Sequence, residues 1–172
     1  MLYILAVVSV TAYLIGSLPL AKWAAYGLTF RGKLLGARYD ALVRVCTDIA
    51  KGAGAVFLGH EAGFSGAQLA AFLVFFGHIY PLHGGFGRQN GMGTLLGALI
   101  FLDPLVGLTA LSSWMFAYYV YRHPGSAAVI SAALTAFICG FMTQSTPIDT
   151  ELLLLMTAVV FWRHRQLIFV RK

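Results

Sequence analysis

Charge is the scarcest commodity in this chain. Only 10% of its 172 residues are Asp, Glu, Lys or Arg, and 59% are hydrophobic. A soluble globular domain carries about 25% charged residues. Mean hydropathy is +0.80. A water-soluble domain is thereby excluded, and residues 1–172 are read as a single integral-membrane domain with no room for a separate soluble one. Cysteine is also nearly missing. Cys46 and Cys139 both sit in apolar runs and are read as buried small hydrophobes, not as a disulfide. No cluster of His, Cys, Asp or Glu has metal-ligand spacing, so no metal and no cofactor is expected. No serine sits in a nucleophile-elbow setting. Acid is scarcer than base, six residues against twelve. The cations lie beside apolar runs, so positive-inside topology accounts for them and nucleic acid is not an expected partner. The first cation is Lys22, so the opening run is read as a membrane helix and not as a cleaved signal peptide.

What the chain does have is apolar runs, at about 2–28, 39–59, 66–83, 91–102, 104–121, 125–142 and 149–162. Charge, Gly or Pro marks each break. The expected fold is an all-α, polytopic transmembrane helix bundle of about seven spans, with the N-terminus outside and the C-terminus cytoplasmic. In that frame Arg31, Lys33, Arg38, Arg88, Arg122, Arg163, Arg165, Arg171 and Lys172 fall inside, and Glu61, Asp103, Asp149 and Glu151 fall outside. A six-span alternative fuses 91–121 into one helix bent at Pro104. It would put Arg122 and the basic tail outside, against the positive-inside rule.

Between the third and fourth runs lies a glycine-dense stretch with Gly84, Gly85, Gly87, Gly91 and Gly93. Glycines let a backbone curl and present its N–H groups to an anion. The span after it is at most twelve residues, or roughly 18 Å of helix, against a hydrocarbon core of about 30 Å. The stretch is therefore expected to be recessed, as the wall of a cavity open to the cytoplasm, because irregular backbone at membrane depth needs protein or water around it.

The second span holds Asp40, Arg44, Asp48 and Lys51 on one helix face. Each such charge costs about 2.5–3.5 kcal/mol at a helix centre. Two readings stay open: a self-satisfied ladder, Arg44 to Asp48 to Lys51, or the lining of a polar site. Lys22 is expected to snorkel. His78 precedes the glycine stretch and is read as a supporting residue, whereas His60, His83 and His123 lie at span ends and are read as interfacial. Ala127, Ser131 and Thr135 recur every fourth position, a close-packing seam. No internal repeat or pair of broken helices suggests a transporter.

These residues together resemble the bacterial PlsY-type acyl-phosphate:glycerol-3-phosphate acyltransferases. The matching stretches are Tyr13–Pro19, Asp48–Gly52, Gly77–Pro81, Gly91–Thr94 and Arg163–Ile168, in the family's order. The resemblance implies transfer of a fatty acyl group from acyl-phosphate to glycerol 3-phosphate, giving lysophosphatidic acid for phospholipid biosynthesis in the bacterial inner membrane. Both substrates are anionic, and acyl-phosphate is already activated, so positioning and charge stabilisation suffice without a protein nucleophile. By the same resemblance His164 and Arg88 are the catalytic candidates. Gly87, Asn90, Gly91, Gly93, Thr94, Arg165, Arg44 and Lys51 would hold phosphate, with His78 and Asp48 in support. Acyl chains would enter from the inner leaflet, and membrane lipids are expected partners.

The chain departs from the family pattern in three places. The first family motif, near S-G-S-G-N-x-G-A-T-N-x-L-R, is missing apart from Gly36-Ala37. Asn90 stands where the glycine-flanked lysine is expected, and Leu167 stands where an asparagine is expected. The alternative function is therefore a catalytically degenerate relative, kept as a structural or lipid-binding subunit of a membrane complex. If Arg88 has taken over from the missing lysine, Arg88→Ala should lower turnover in a phosphate-release assay. Unchanged turnover would remove Arg88 from the site and leave the fold untouched.

Overall fold

The computed structural model describes residues 2–20, 22–24, 37–82, 91–141 and 148–169, without the side chains of 37–40 and 166–169. Among the described residues all regular elements are helices: α1 (Leu2–Ser17), α2 (Ala37–Gly59), α3 (Gly63–Ile79), α4 (Met92–Leu102), α5 (Pro104–Tyr121), α6 (Pro124–Phe141) and α7 (Thr150–Phe169). One 3₁₀ turn, His60–Ala62, links α2 to α3. The seven-helix, all-α expectation is met. The chain divides into two compact units, Met1–Ala98 and Leu99–Lys172.

Small residues are prominent inside. Ala12, Ala55, Ala67, Ala70, Ala71, Ala98, Ala127 and Ala128 are buried beside a few larger side chains such as Phe75 and Ile79, while Phe57, Met115, Phe116, Phe137 and Phe141 are exposed. Lipid solvates large apolar side chains as well as protein does, and small residues at helix contacts let helices approach. Cys46 follows the same logic. It is exposed, not buried as expected, because an apolar side chain loses nothing by facing lipid.

In the first unit, two helix crossings depend on glycine. A Cβ on Gly16 of α1 would fall on the Val74 carbonyl oxygen of α3, and one on Gly77 of α3 would fall on the Tyr13 carbonyl oxygen of α1. Across α2 and α4, a Cβ on Gly52 would meet the Thr94 carbonyl oxygen, and one on Gly97 the Ile49 carbonyl oxygen. These backbone-to-backbone contacts bring α1, α2, α3 and α4 close enough for short polar side chains to reach across.

The ends of α1 and α7 differ most from the expected spans. The first apolar run was expected to continue to residue 28, but α1 ends at Ser17. Pro19 has no N–H to continue the ladder, and the amides of Lys22 and Trp23 start a new turn on the Pro19 carbonyl. At the other end, α7 runs past the expected 162 to Phe169. Arg, Gln and Leu are good helix formers, so the basic cluster marks a change of solvent and not of backbone. The break between α4 and α5 is real. Asp103 is extended, and its carboxylate caps α5 by accepting from the Leu105 amide at 2.8 Å, with Pro104 in the first turn. A Cβ on Gly107 would meet Ile100 Cα at 2.5 Å. Two positions seven apart in one continuous helix lie about 10 Å apart along its axis, so α5 folds back on the end of α4. A fused helix over 91–121 is thereby excluded.

The rest of the second unit is a packed helical hairpin with α7 added. Ala127, Ser131 and Thr135 are all buried. Ser131 Oγ donates to the Ala110 carbonyl of α5 at 3.1 Å, and Thr157 Oγ1 of α7 donates to the Ala132 carbonyl at 3.2 Å. The expected seam is thus used on both sides of α6. The α5 helix closes with Arg122 in the left-handed region, φ 54°, and Pro124 bars its continuation. Tyr119 and Tyr121 are exposed there. The Arg122 guanidinium lies 5.2 Å from the centre of the Tyr119 ring.

The glycine crossings make a stability prediction. Gly97→Ala should destabilise the protein by about 1–3 kcal/mol, since its methyl group would displace backbone. Gly54→Ala, with no atom within 4 Å of the new Cβ, should be neutral or slightly stabilising. Thermal unfolding in detergent checks both, and equal midpoints for the two variants would remove the close crossing.

Candidate functional site

Polar side chains are rare in the first unit, and of those that are buried Ser17, Lys51, His78 and Thr94 converge where α1 ends, α3 ends and α4 begins. Lys51, on α2, is 4% exposed. Its Nζ donates to the carbonyl oxygens of Gly16 and Leu18, both at 2.8 Å, and lies 3.3 Å from His78 Nδ1. The carbonyls are available because α1 stops. Past Ser17 no helical amide comes to Gly16, and the backbone turns at Pro19. An ammonium at the carboxyl end of a helix also meets the negative end of its dipole. This pairing decides between the two readings of the charged face for Lys51: its hydrogen-bond partners are on α1 and α3, not on its own helix.

His78, in the last turn of α3, is 3% exposed. Its Nδ1 lies 3.0 Å from Thr94 Oγ1 and 3.7 Å from Asp48 Oδ1. Thr94, in the first turn of α4, is fully buried. Asp48 sits one turn before Lys51 and keeps about a quarter of its side chain exposed. A Cβ on Gly93 would meet Asp48 Cβ at 2.9 Å, so the absence of a side chain there lets α4 lie against that carboxylate. Gly91 has φ +67°, and a Cβ there would also meet Phe75 and Ile79. Two further residues complete the cluster. Ser17 Oγ donates to the Tyr13 carbonyl at 3.0 Å and lies 3.4 Å from the Gly77 carbonyl, and Tyr13 OH donates to the Tyr80 carbonyl at 2.8 Å.

The structure thus brings together Asp48, Lys51, His78, Gly91, Gly93 and Thr94 of the residues singled out from sequence. Arg44 is on the same helix, exposed and two turns from Lys51. Gly87, Arg88, Asn90 and His83 lie outside the described residues, as does the side chain of Leu167. Tyr13 and Ser17 were not anticipated as part of the cluster. The signal was present in Pro19, which frees carbonyls that a buried donor can answer.

The second unit holds the remaining candidates, on α7. His164 is 6% exposed. Its Nδ1 lies 3.0 Å from the Val160 carbonyl, one turn back. A carbonyl only accepts, so Nδ1 carries the proton and Nε2 presents a lone pair. That Nε2 is buried with no hydrogen-bond partner among the described residues. Arg165 is exposed and stacks over Trp162, with Cζ 3.9 Å from the ring centre. Its in-plane N–H groups stay free for an anion in that pose.

Comparison with known proteins identifies the family. The model of the glycerol-3-phosphate acyltransferase family matches residues 27–169. A glycerol-3-phosphate acyltransferase of Dechloromonas aromatica (strain RCB) is 36% identical over 154 residues, covering 80% of this chain and 78% of the relative. One from Paraburkholderia phymatum is 31% identical over 179 residues, covering 92% and 85%. Among solved structures, the glycerol 3-phosphate form of PlsY (YgiH), an integral membrane glycerol 3-phosphate acyltransferase, superposes with a TM-score of 0.77 at 21% identity, covering 95% of this chain and 90% of that one. Its lysophosphatidic acid form superposes with the same score. An all-helical membrane fold of that kind, matched by the family model through its last six helices, places this chain in the glycerol-3-phosphate acyltransferase family.

Proposed function

We propose that the chain transfers a fatty acyl group from acyl-phosphate to a hydroxyl of glycerol 3-phosphate, forming lysophosphatidic acid and releasing phosphate. The observation that carries this reading is the family match over residues 27–169. Its setting is the bacterial inner membrane, crossed several times, with the N-terminus outside and the C-terminus in the cytoplasm. The charge distribution along the sequence supports that orientation.

The chemistry asks little of the protein beyond placement. The acyl carbon of acyl-phosphate already carries a good leaving group. The protein must bring two anions together against their repulsion and present one hydroxyl to that carbon. Arg88, Arg165 and Arg44 are the cations assigned to the phosphates, with backbone N–H groups around Gly87, Asn90, Gly91 and Gly93. His164 is assigned to the hydroxyl. Among the described residues its Nε2 is a buried acceptor without a donor, and an alcohol O–H would supply one. As the oxygen attacks the acyl carbon, Nε2 can take the proton, and the C–O bond to phosphate breaks with its electron pair leaving on phosphate.

The direct measurement is phosphate release from palmitoyl-phosphate by purified protein in detergent. Release should depend on added glycerol 3-phosphate and should yield lysophosphatidic acid. No turnover above a blank would end the enzymatic reading and favour a structural or lipid-binding subunit, recoverable from native membranes with stoichiometric partners. In an active preparation, His164→Ala should reduce turnover by about 10²-fold or more. His164→Gln, which keeps an acceptor near the Nε2 position, should retain more. Wild-type turnover in His164→Ala would take His164 out of the proton transfer.

A further inference from the structure

Every donor of Lys51 is already engaged. An ammonium has three N–H bonds. Three acceptors surround this one: the carbonyls of Gly16 and Leu18 and the Nδ1 of His78. Because an ammonium has no lone pair, Nδ1 must turn its own toward Nζ, which leaves the ring proton on Nε2. The Thr94 hydroxyl, 3.0 Å from the same atom, then donates to it as well. To bind a phosphate, Lys51 would have to abandon two carbonyls that have no other donor among the described residues. Leaving such groups unsatisfied in an apolar bundle is costly.

The partners are also informative in their order along the chain. His78 is in the last turn of α3 and Thr94 in the first turn of α4. They flank the glycine-rich stretch, one on each side. Just inside them, Tyr80 is held to α1 by the Tyr13 hydroxyl. Gly91 lies close enough to Phe75 and Ile79 that a Cβ would collide with Phe75. The described residues on either side of 83–90 are therefore held, Tyr80 to α1 and Gly91 against α3.

We infer that Lys51, His78 and Thr94 form a buried clasp that sets the spacing between the end of α3 and the start of α4. Lys51 is a positioning residue. It governs phosphate binding by the start of α4, where the amides of Gly91 and Gly93 lie, and does not touch phosphate itself. The kinetic consequence rests on the acyl-transfer reading; the clasp does not.

The test uses the full-length protein in detergent, with KM for glycerol 3-phosphate measured for Lys51→Met, Thr94→Val and the double variant. Each single change should raise KM by roughly five- to tenfold, the size of one lost buried hydrogen bond, with a smaller effect on kcat. The double variant should be no worse than the poorer single one, because both break the same clasp. Thr94→Ser, which keeps the hydroxyl, should stay near wild type. Multiplicative effects, together with a Lys51→Met penalty that disappears at high salt, would show that Lys51 is a direct phosphate ligand. An unchanged KM in either single variant would also overturn the proposal. Nitrogen NMR of labelled histidine, with His78 assigned by a His78→Gln variant, reads the clasp without turnover. The expected spectrum has an unprotonated Nδ1 whose resonance moves in Thr94→Val. A protonated Nδ1, or a resonance indifferent to Thr94→Val, sinks the clasp even if Lys51→Met fails to fold. An inactive wild type with the expected resonance would overturn the acyl-transfer reading alone.

Discussion

A lysine ammonium buried among apolar helices is the constraint around which the first unit is arranged. A cation near the centre of a membrane helix costs about 2.5–3.5 kcal/mol on insertion scales. It can stay only where fixed acceptors offset that cost. Carboxylate acceptors would have added charge of their own. The chain uses two main-chain carbonyls, freed where α1 ends before Pro19, and a neutral imidazole instead. The proline on one helix and the lysine on another are thus two halves of one device.

That device works only because the helices are close. Lys51 reaches two carbonyls of α1 and an imidazole of α3, and Thr94 reaches the same imidazole from α4. Four helices meet around one nitrogen atom of His78 and one of Lys51. Such convergence needs backbones to touch, and the Gly16–Val74, Gly77–Tyr13, Gly52–Thr94 and Gly97–Ile49 contacts supply it. Packing and polar chemistry are therefore not separable here. A methyl group at a crossing moves hydrogen-bond partners as surely as it disturbs van der Waals contact.

The sequence made some of this legible and hid the rest for physical reasons. The boundaries of α2, α4, α5 and α6 could be read within about two residues because Asp, Pro and Gly interrupt the apolar pattern there. The end of α1 could not. Leu18, Leu20 and the residues around them are apolar on both sides of Pro19, so hydropathy runs straight through a break that only hydrogen bonding reveals. The end of α7 was missed in the opposite sense, because a basic cluster ends an apolar pattern without ending a helix. Lys51 stood out as a charge in an apolar span, yet its acceptors are carbonyls, which every residue has and no pattern announces. The tautomer of His164 was equally hidden, since it depends on the carbonyl of Val160 one turn away. The family, by contrast, was readable from five short stretches in order. Stretches of that kind carry glycines, prolines and charges whose positions are dictated by the backbone contacts just described.

The carboxyl end of α5 has a consequence for how the second unit rides in the bilayer. Tyr118, Tyr119 and Tyr121 are exposed beside Arg122. Rings of this type prefer the headgroup level, where an apolar body and a polar tip are both solvated. The other end of the helix, eighteen residues away, is fixed by the carboxylate of Asp103. At about 1.5 Å per residue that is about 27 Å between two polar boundaries. If α5 spans the bilayer, as the charge pattern along the sequence suggests, polar groups at both its ends would oppose sliding along the membrane normal, and a change in lipid thickness would be met by tilt.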